Sequence, residues 1–139
     1  MVQFYDTTAL LNNPDKITSD IWISEVSVQE LENIVFHTYY EEGLRSRAKA
    51  VLHALLREQP VIVLLQDAIK WYQNQDLGNT YDIEKLSNRD FLSVILTAYY
   101  IKSICDEEFK FYTASYLTYI NSTSLYFNLP TIYEGKLGK

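Results

Sequence analysis

A chain of 139 residues is the length of one ordinary globular domain and leaves no room for a second independent core. Hydrophobic residues at 47% and charged residues at 22% exclude wholesale disorder and a fibrous repeat. Twelve Lys and Arg against eighteen Asp and Glu leave a net charge of −6, which excludes a protein that coats nucleic acid electrostatically, because Lys and Arg carry that affinity.

Nucleic acid handled through a bound metal stays open. The single Cys105 rules out an internal disulfide and a multi-cysteine metal site. His37 and His53 are the only imidazoles, so carboxylates are the metal ligands that remain. The opening Met1-Val2-Gln3-Phe4-Tyr5-Asp6 has no basic stretch leading into an apolar run. No apolar segment approaches the ~18 residues needed to cross a bilayer. The expectation is a soluble cytoplasmic protein with no membrane partner.

In chain order, Val2 to Tyr5 predicts a first strand, and Thr8 to Leu11 a short helix closed by Asn12-Asn13-Pro14. Ile21 to Ile23 predicts a second strand. Ser27 then opens a helix with Val28, Leu31, Ile34 and Val35 on one face, reaching Glu42-Gly43. Leu44 to Gln59 predicts another, with Ala48, Val51, Leu52, Leu55 and Leu56 inward, and Pro60 stops it. The β-branched run Val61 to Leu65 predicts a third strand, and the polar, aperiodic Gln73 to Thr80 a loop. Phe91 to Ile104 is the clearest helix, followed by strands at Phe109 to Tyr112 and near Leu125 to Phe127. Strands alternating with helices imply an α/β domain of three layers, with a central, mainly parallel sheet of four to five strands flanked by helices.

Ligands of open α/β sheets bind beyond the carboxyl ends of the parallel strands. Asp6 follows the first strand directly, Glu30 sits in the first turn of the helix after the second, and Asp90 opens the helix before the fourth. Acids gathered within a few ångströms repel one another unless a hard cation such as Mg²⁺ or Mn²⁺ neutralises them. Each has a plainer explanation. Ser27-Val28-Gln29-Glu30 fits a capping box, and Ser87-Asn88-Arg89-Asp90 a looser one. Asp6 has no such role unless it serves the following turn through Thr7 or Thr8.

The order of these segments resembles the PIN-domain ribonucleases, most closely the PIN module joined to PhoH-type ATPases, over nearly the whole of residues 1–139. Phe4-Tyr5-Asp6-Thr7-Thr8-Ala9-Leu10-Leu11 is similar to the family's opening strand and Asp-Thr-Asn-x-Leu-Leu turn, with Asn13-Pro14 where that subgroup has Asp-Pro. Ile23 to Glu32 resembles the second-strand segment ending in Glu-Leu-Asp. Arg47-Ala48-Lys49 is similar to a basic helix, and Asn88-Arg89-Asp90 through Ala98 to an Asp-opened helix. Thr113-Ala114-Ser115 stands where members read Thr-x-Asp, and Thr8 where Asn is common.

The resemblance implies Asp6, Glu30 and Asp90 as metal-binding catalytic acids, with Ser115 reaching the metal weakly through water. It further implies Thr7 and Thr113 as substrate contacts, and Mg²⁺ or Mn²⁺ as cofactor. Cleavage of single-stranded RNA by activated water follows as the expected activity. Partners so implied are an RNA substrate, an antitoxin or ATPase, and a second copy in a homodimer. Ser115 in the fourth position leaves open a weakened fold used for RNA binding or protein interaction.

Among other features, Arg45, Arg47 and Lys49 could grip an RNA backbone, although Glu41, Glu42 and Glu58 beside them favour an ordinary solvated face. The doublets Tyr39-Tyr40 and Tyr99-Tyr100 could stack on bases, but half-buried packing suits most of the 12 tyrosines better. Asp106-Glu107-Glu108 falls at the far end of the sheet from Asp6.

Overall fold

The computed structural model describes residues 1–75, 91–124 and 126–135. Alternation of apolar side chains across very short strands sets the architecture. Five strands, β1 (Val2–Tyr5), β2 (Trp22–Ser24), β3 (Val61–Val63), β4 (Phe109–Thr113) and β5 (Thr131–Tyr133), pair all in parallel in the order β3-β2-β1-β4-β5. Six α-helices among the described residues flank them: α1 (Thr7–Asn12), α2 (Glu25–Phe36), α3 (Glu42–Glu58), α4 (Leu65–Gln73), α5 (Phe91–Ile104) and α6 (Tyr116–Ser122). A turn of 3₁₀-helix, Pro14–Lys16, follows α1. The expected three-layer α/β fold is therefore present, with the sheet wholly parallel.

Period-two alternation divides the core between the two faces. Tyr5, Ile21 and Ile23 pack with Leu10 of α1, Leu31 and Ile34 of α2, and Ala48 and Val51 of α3. Val2, Phe4, Phe109 and Phe111 point the other way and pack with Leu65 of α4 and Val94, Ile95, Ala98 and Ile101 of α5. Phe4 meets Phe111 edge-on at 5.3 Å and lies over Phe109 at 6.5 Å, while Tyr5 stacks on Tyr112 at 4.8 Å across the opposite face. Both tryptophans sit on the α4–α5 side: Trp22 borders that core from β2, and Trp71 of α4 contacts Tyr99 and Tyr100. Thus Tyr99 and Tyr100 are packing groups, as the plainer reading had it.

Several boundaries differ from expectation. Ser24, not Ser27, caps α2, its hydroxyl accepting from the Val26 amide at 3.1 Å. The Ser27 hydroxyl is buried with no hydrogen-bond partner, so the Ser27–Glu30 capping box does not form, and Glu30 falls in the second turn. The predicted helix from Ser27 to Gly43 ends at Phe36, because His37 leaves helical geometry and its Nδ1 lies 2.7 Å from the Asn33 carbonyl. Leu56 is exposed on α3 rather than inward.

The run Val61 to Leu65 is cut short because Leu65 begins α4, where the Glu25 carboxylate accepts from its amide at 2.7 Å. The strand expected near Leu125 is not at Tyr126 or Phe127, which lie in a turn region; Leu125 itself is outside the described residues. The last strand is instead Thr131–Tyr133, opened by Pro130. Gln73 closes α4, and the rest of the predicted loop beyond Gln75 lies outside the described residues.

At the end of α3, Gln59 adopts φ 52°, ψ 60° and donates its amide to the Leu55 carbonyl at 2.9 Å. A left-handed residue with a Cβ is strained by ~1–2 kcal/mol, only part of which glycine's greater unfolded-state freedom takes back. Gln59→Gly should therefore raise stability by roughly 0.5–1 kcal/mol, read as a few degrees in thermal midpoint. An unchanged or lower midpoint would show that the Gln59 side chain contributes more than its backbone costs.

Candidate functional site

β1 is paired on one side with β2, its successor through α1, and on the other with β4, which arrives much later in the chain. Connections leave β1 and β4 in opposite directions, and a crevice opens at the carboxyl ends of such a pair. Asp6 and Ser115 stand at those ends. A pocket of about 150 Å³ lies there, lined by Asp6, Thr7, Thr8, Glu30, Phe91, Val94, Ser115 and Thr118.

Asp6 is 4% exposed and every oxygen is engaged. Its Oδ1 accepts from the Thr8 hydroxyl at 2.7 Å and the Ala9 amide at 2.9 Å, which caps α1. Its Oδ2 accepts from the Thr113 hydroxyl of β4 at 2.5 Å. Thr8 Oγ1 in turn accepts from the Ala114 amide at 2.9 Å, and Thr113 Oγ1 from the Ser115 amide at 3.0 Å. The turn role that could have explained Asp6 is thus real, and the same carboxylate also bridges β1 to β4.

These donors favour the ionised form, yet burial outweighs them and pushes the Asp6 carboxyl up to about 6 from an ordinary 3.8. Thr113 and Thr8 hydroxyls, then backbone amides of Ala9 and Thr8, pull the other way.

Of the expected metal ligands, Asp6, Glu30 and Ser115 line one pocket, whereas Asp90 lies outside the described residues. Among the described residues no group of three His, Cys, Asp or Glu side chains gathers closely enough to hold a metal. Ser115 is the cap of α6, its hydroxyl accepting from the Thr118 amide at 3.3 Å. Thr7 lines the pocket with a buried hydroxyl that has no hydrogen-bond partner, and Thr113 spends its hydroxyl on Asp6.

Arg45, Arg47 and Lys49 are not part of this pocket. Arg45 and Lys49 share a face of α3 and line a separate hollow of about 240 Å³ with Val35, Glu42 and Ser46, where Arg45 Nε donates to the Val35 carbonyl at 3.4 Å. Arg47, two residues on, points ~200° round the helix, so the three cations do not form one patch. Glu108 pairs with Lys110, and Glu107 with the N-terminal amine, at the amino end of the sheet as expected.

No family model matches this chain, and no curated protein does. The residues themselves must then carry the reading. Those the sequence did not single out are Thr8 as the hub between Asp6 and β4, and Phe91, Val94 and Thr118 as walls. Thr118, three residues after Ser115 on a capped helix, is the one with a visible signal. No described helix is long and apolar enough to cross a membrane.

A carboxyl raised from 3.8 to about 6 binds its proton more tightly in the folded than in the unfolded chain. Stability therefore falls as pH rises from about 4 to 6, by roughly 3 kcal/mol in all. Asp6→Asn keeps the oxygen that accepts from Thr8 and Ala9 and removes this titration. In chelator, its denaturation midpoint should rise relative to the parent between pH 4 and 6.5, and a parallel pair of curves would show that Asp6 is not uncomfortably ionised.

Proposed function

We propose that this chain is a metal-dependent endoribonuclease whose site is the Asp6 pocket. The observation that carries it is a charged carboxylate, almost wholly removed from water, at the switch point of a parallel sheet and sharing a pocket with Glu30. Structural caps are usually exposed enough to keep their charge cheaply. Burial that penalises the charge makes sense where a cation completes the site.

The donor set fits a hard divalent ion: Asp6 and Glu30 offer carboxylate oxygens, Ser115 a hydroxyl, and Asp90 would add a third acid. Mg²⁺ or Mn²⁺, when bound, supplies the charge that polarises a phosphodiester and makes water a nucleophile at neutral pH. The protein's share is positional. Thr8 and Thr113 fix both oxygens of Asp6, so the charge needs no reorganisation when substrate arrives. Phe91 and Val94 exclude water along one wall, which strengthens every charge interaction inside.

A second reading has one observation in its favour. Ser115 is engaged in capping α6 and brings no charge to the β4 side of the pocket, as a non-catalytic RNA-binding or protein-interaction fold would allow.

Cleavage of a mixed single-stranded RNA by the purified chain should require Mn²⁺ or Mg²⁺ and disappear in Asp6→Asn, Glu30→Gln and Asp90→Asn. Mn²⁺ at about 100 times its dissociation constant should stabilise the parent by roughly 2.7 kcal/mol, a rise of several degrees, and leave Asp6→Asn unmoved. Absence of both effects, cleavage and melting shift, gives the site to the second reading.

Ser115→Asp keeps a good helix cap while adding an acid beside Asp6. It should bind Mn²⁺ more tightly and turn over faster than the parent. Equal metal affinity in the two proteins would mean that position 115 does not reach the metal.

A further inference from the structure

From Phe111 to Tyr133 the sequence carries no Asp, Glu, Lys or Arg, in a chain whose net charge is −6. α6 and β5 both lie in this stretch. Tyr116 and Tyr119, three residues apart on α6, place their rings 6.1 Å apart at 23°. Tyr133 at the end of β5 completes a triangle at 5.7 Å from Tyr116 and 5.8 Å from Tyr119. Aromatic clusters formed for packing hide their faces, but Tyr116 is 60% exposed and Tyr133 37%.

Two corners of the triangle stand on the helix that walls the pocket. Ser115 and Thr118 of α6 line it, and Tyr116 and Tyr119 are the next residues, about 100° further round the same turns. A strand with its phosphodiester at Asp6 would cross the first turn of α6 and meet these rings. Just past Tyr133, Glu134 is only 12% exposed and pairs at 3.9 Å with Lys16, which is 60% exposed, so the carboxylate nearest the rings is offset by a cation that faces solvent. A polyanion approaching this face meets no carboxylate on α6 or β5, unlike the acidic remainder of the chain.

We propose that Tyr116, Tyr119 and Tyr133 form a platform on which unpaired bases of a single-stranded RNA stack; this rests on reading the Asp6 pocket as a phosphodiester site. Stacking on a phenol ring needs no particular base, so the platform selects single strands without selecting sequence. Duplex RNA keeps its base faces covered and is excluded.

The test is binding of a fluorescein-labelled single-stranded RNA to the full chain in chelator, where cleavage is absent. Tyr116→Ala and Tyr133→Ala should each weaken binding roughly five- to hundredfold, and Tyr116→Phe should bind as the parent does. Unlabelled duplex RNA should compete poorly. Parental affinity in both alanine variants, or no binding by the parent, overturns the platform. So does sedimentation showing the chain dimeric and Tyr116→Ala monomeric, because Leu117 and Ile120 beside the rings would then be covered by a second copy. Loss of RNA binding in the tyrosine variants, with no metal-dependent cleavage by the parent, would keep the platform and remove the nuclease.

Discussion

Taking a carboxylate out of water costs several kcal/mol unless other groups replace its hydration shell, and at Asp6 those groups come from separate parts of the chain. The Ala9 amide and Thr8 hydroxyl belong to α1, and the Thr113 hydroxyl to β4. A helix of six residues has no stability of its own, so α1 exists because Asp6 caps it and the sheet buries Leu10 and Leu11. The β1–β4 pairing that brings Thr113 to Asp6 also sets Phe4 against Phe111 in the core below. Packing thus pays for a charge that the donors alone do not fully satisfy.

On the metal-dependent reading proposed above, that incomplete compensation links stability to cation binding. A site that is fully satisfied without a cation gains little from one, whereas a carboxylate already disfavoured by burial gains both neutralisation and relief. Ser115 works in the other direction. As the cap of α6 it contributes to folding in any solution, and its neutral oxygen makes the β4 side of the pocket weaker in charge than the Asp6 side.

What was legible in the sequence depended on how local the cause was. β1, α5 and most of β4 could be read because their apolar patterns are long or end at a sharp chemical change, such as Tyr5 to Asp6. α4 and β5 could not. Leu65 continues an apolar run without a break, and the turn into helix is made by Glu25, forty residues away in sequence, accepting from its amide. β5 is only three residues and follows a proline. The break between α2 and α3 carries neither Gly nor Pro. In the pocket, the strand-end rule pointed to Asp6 and Glu30 and the family resemblance to Ser115, while the role of Thr8 depends on the register between β1 and β4, which no local pattern encodes.

The placement of the two tryptophans has a spectroscopic consequence. Trp22 and Trp71 both report on the layer built by α4 and α5, and neither contacts the core under α1, α2 and α3, whose aromatic content is tyrosine. Emission excited at the indole edge therefore follows one side of the sheet alone. Far-ultraviolet ellipticity, by contrast, draws on the helices of both layers, α2 and α3 on one side and α4 and α5 on the other. Any interval of denaturant over which the two signals part company would mark a state with one layer open and the other still closed, and the order in which they change would name which layer opens first.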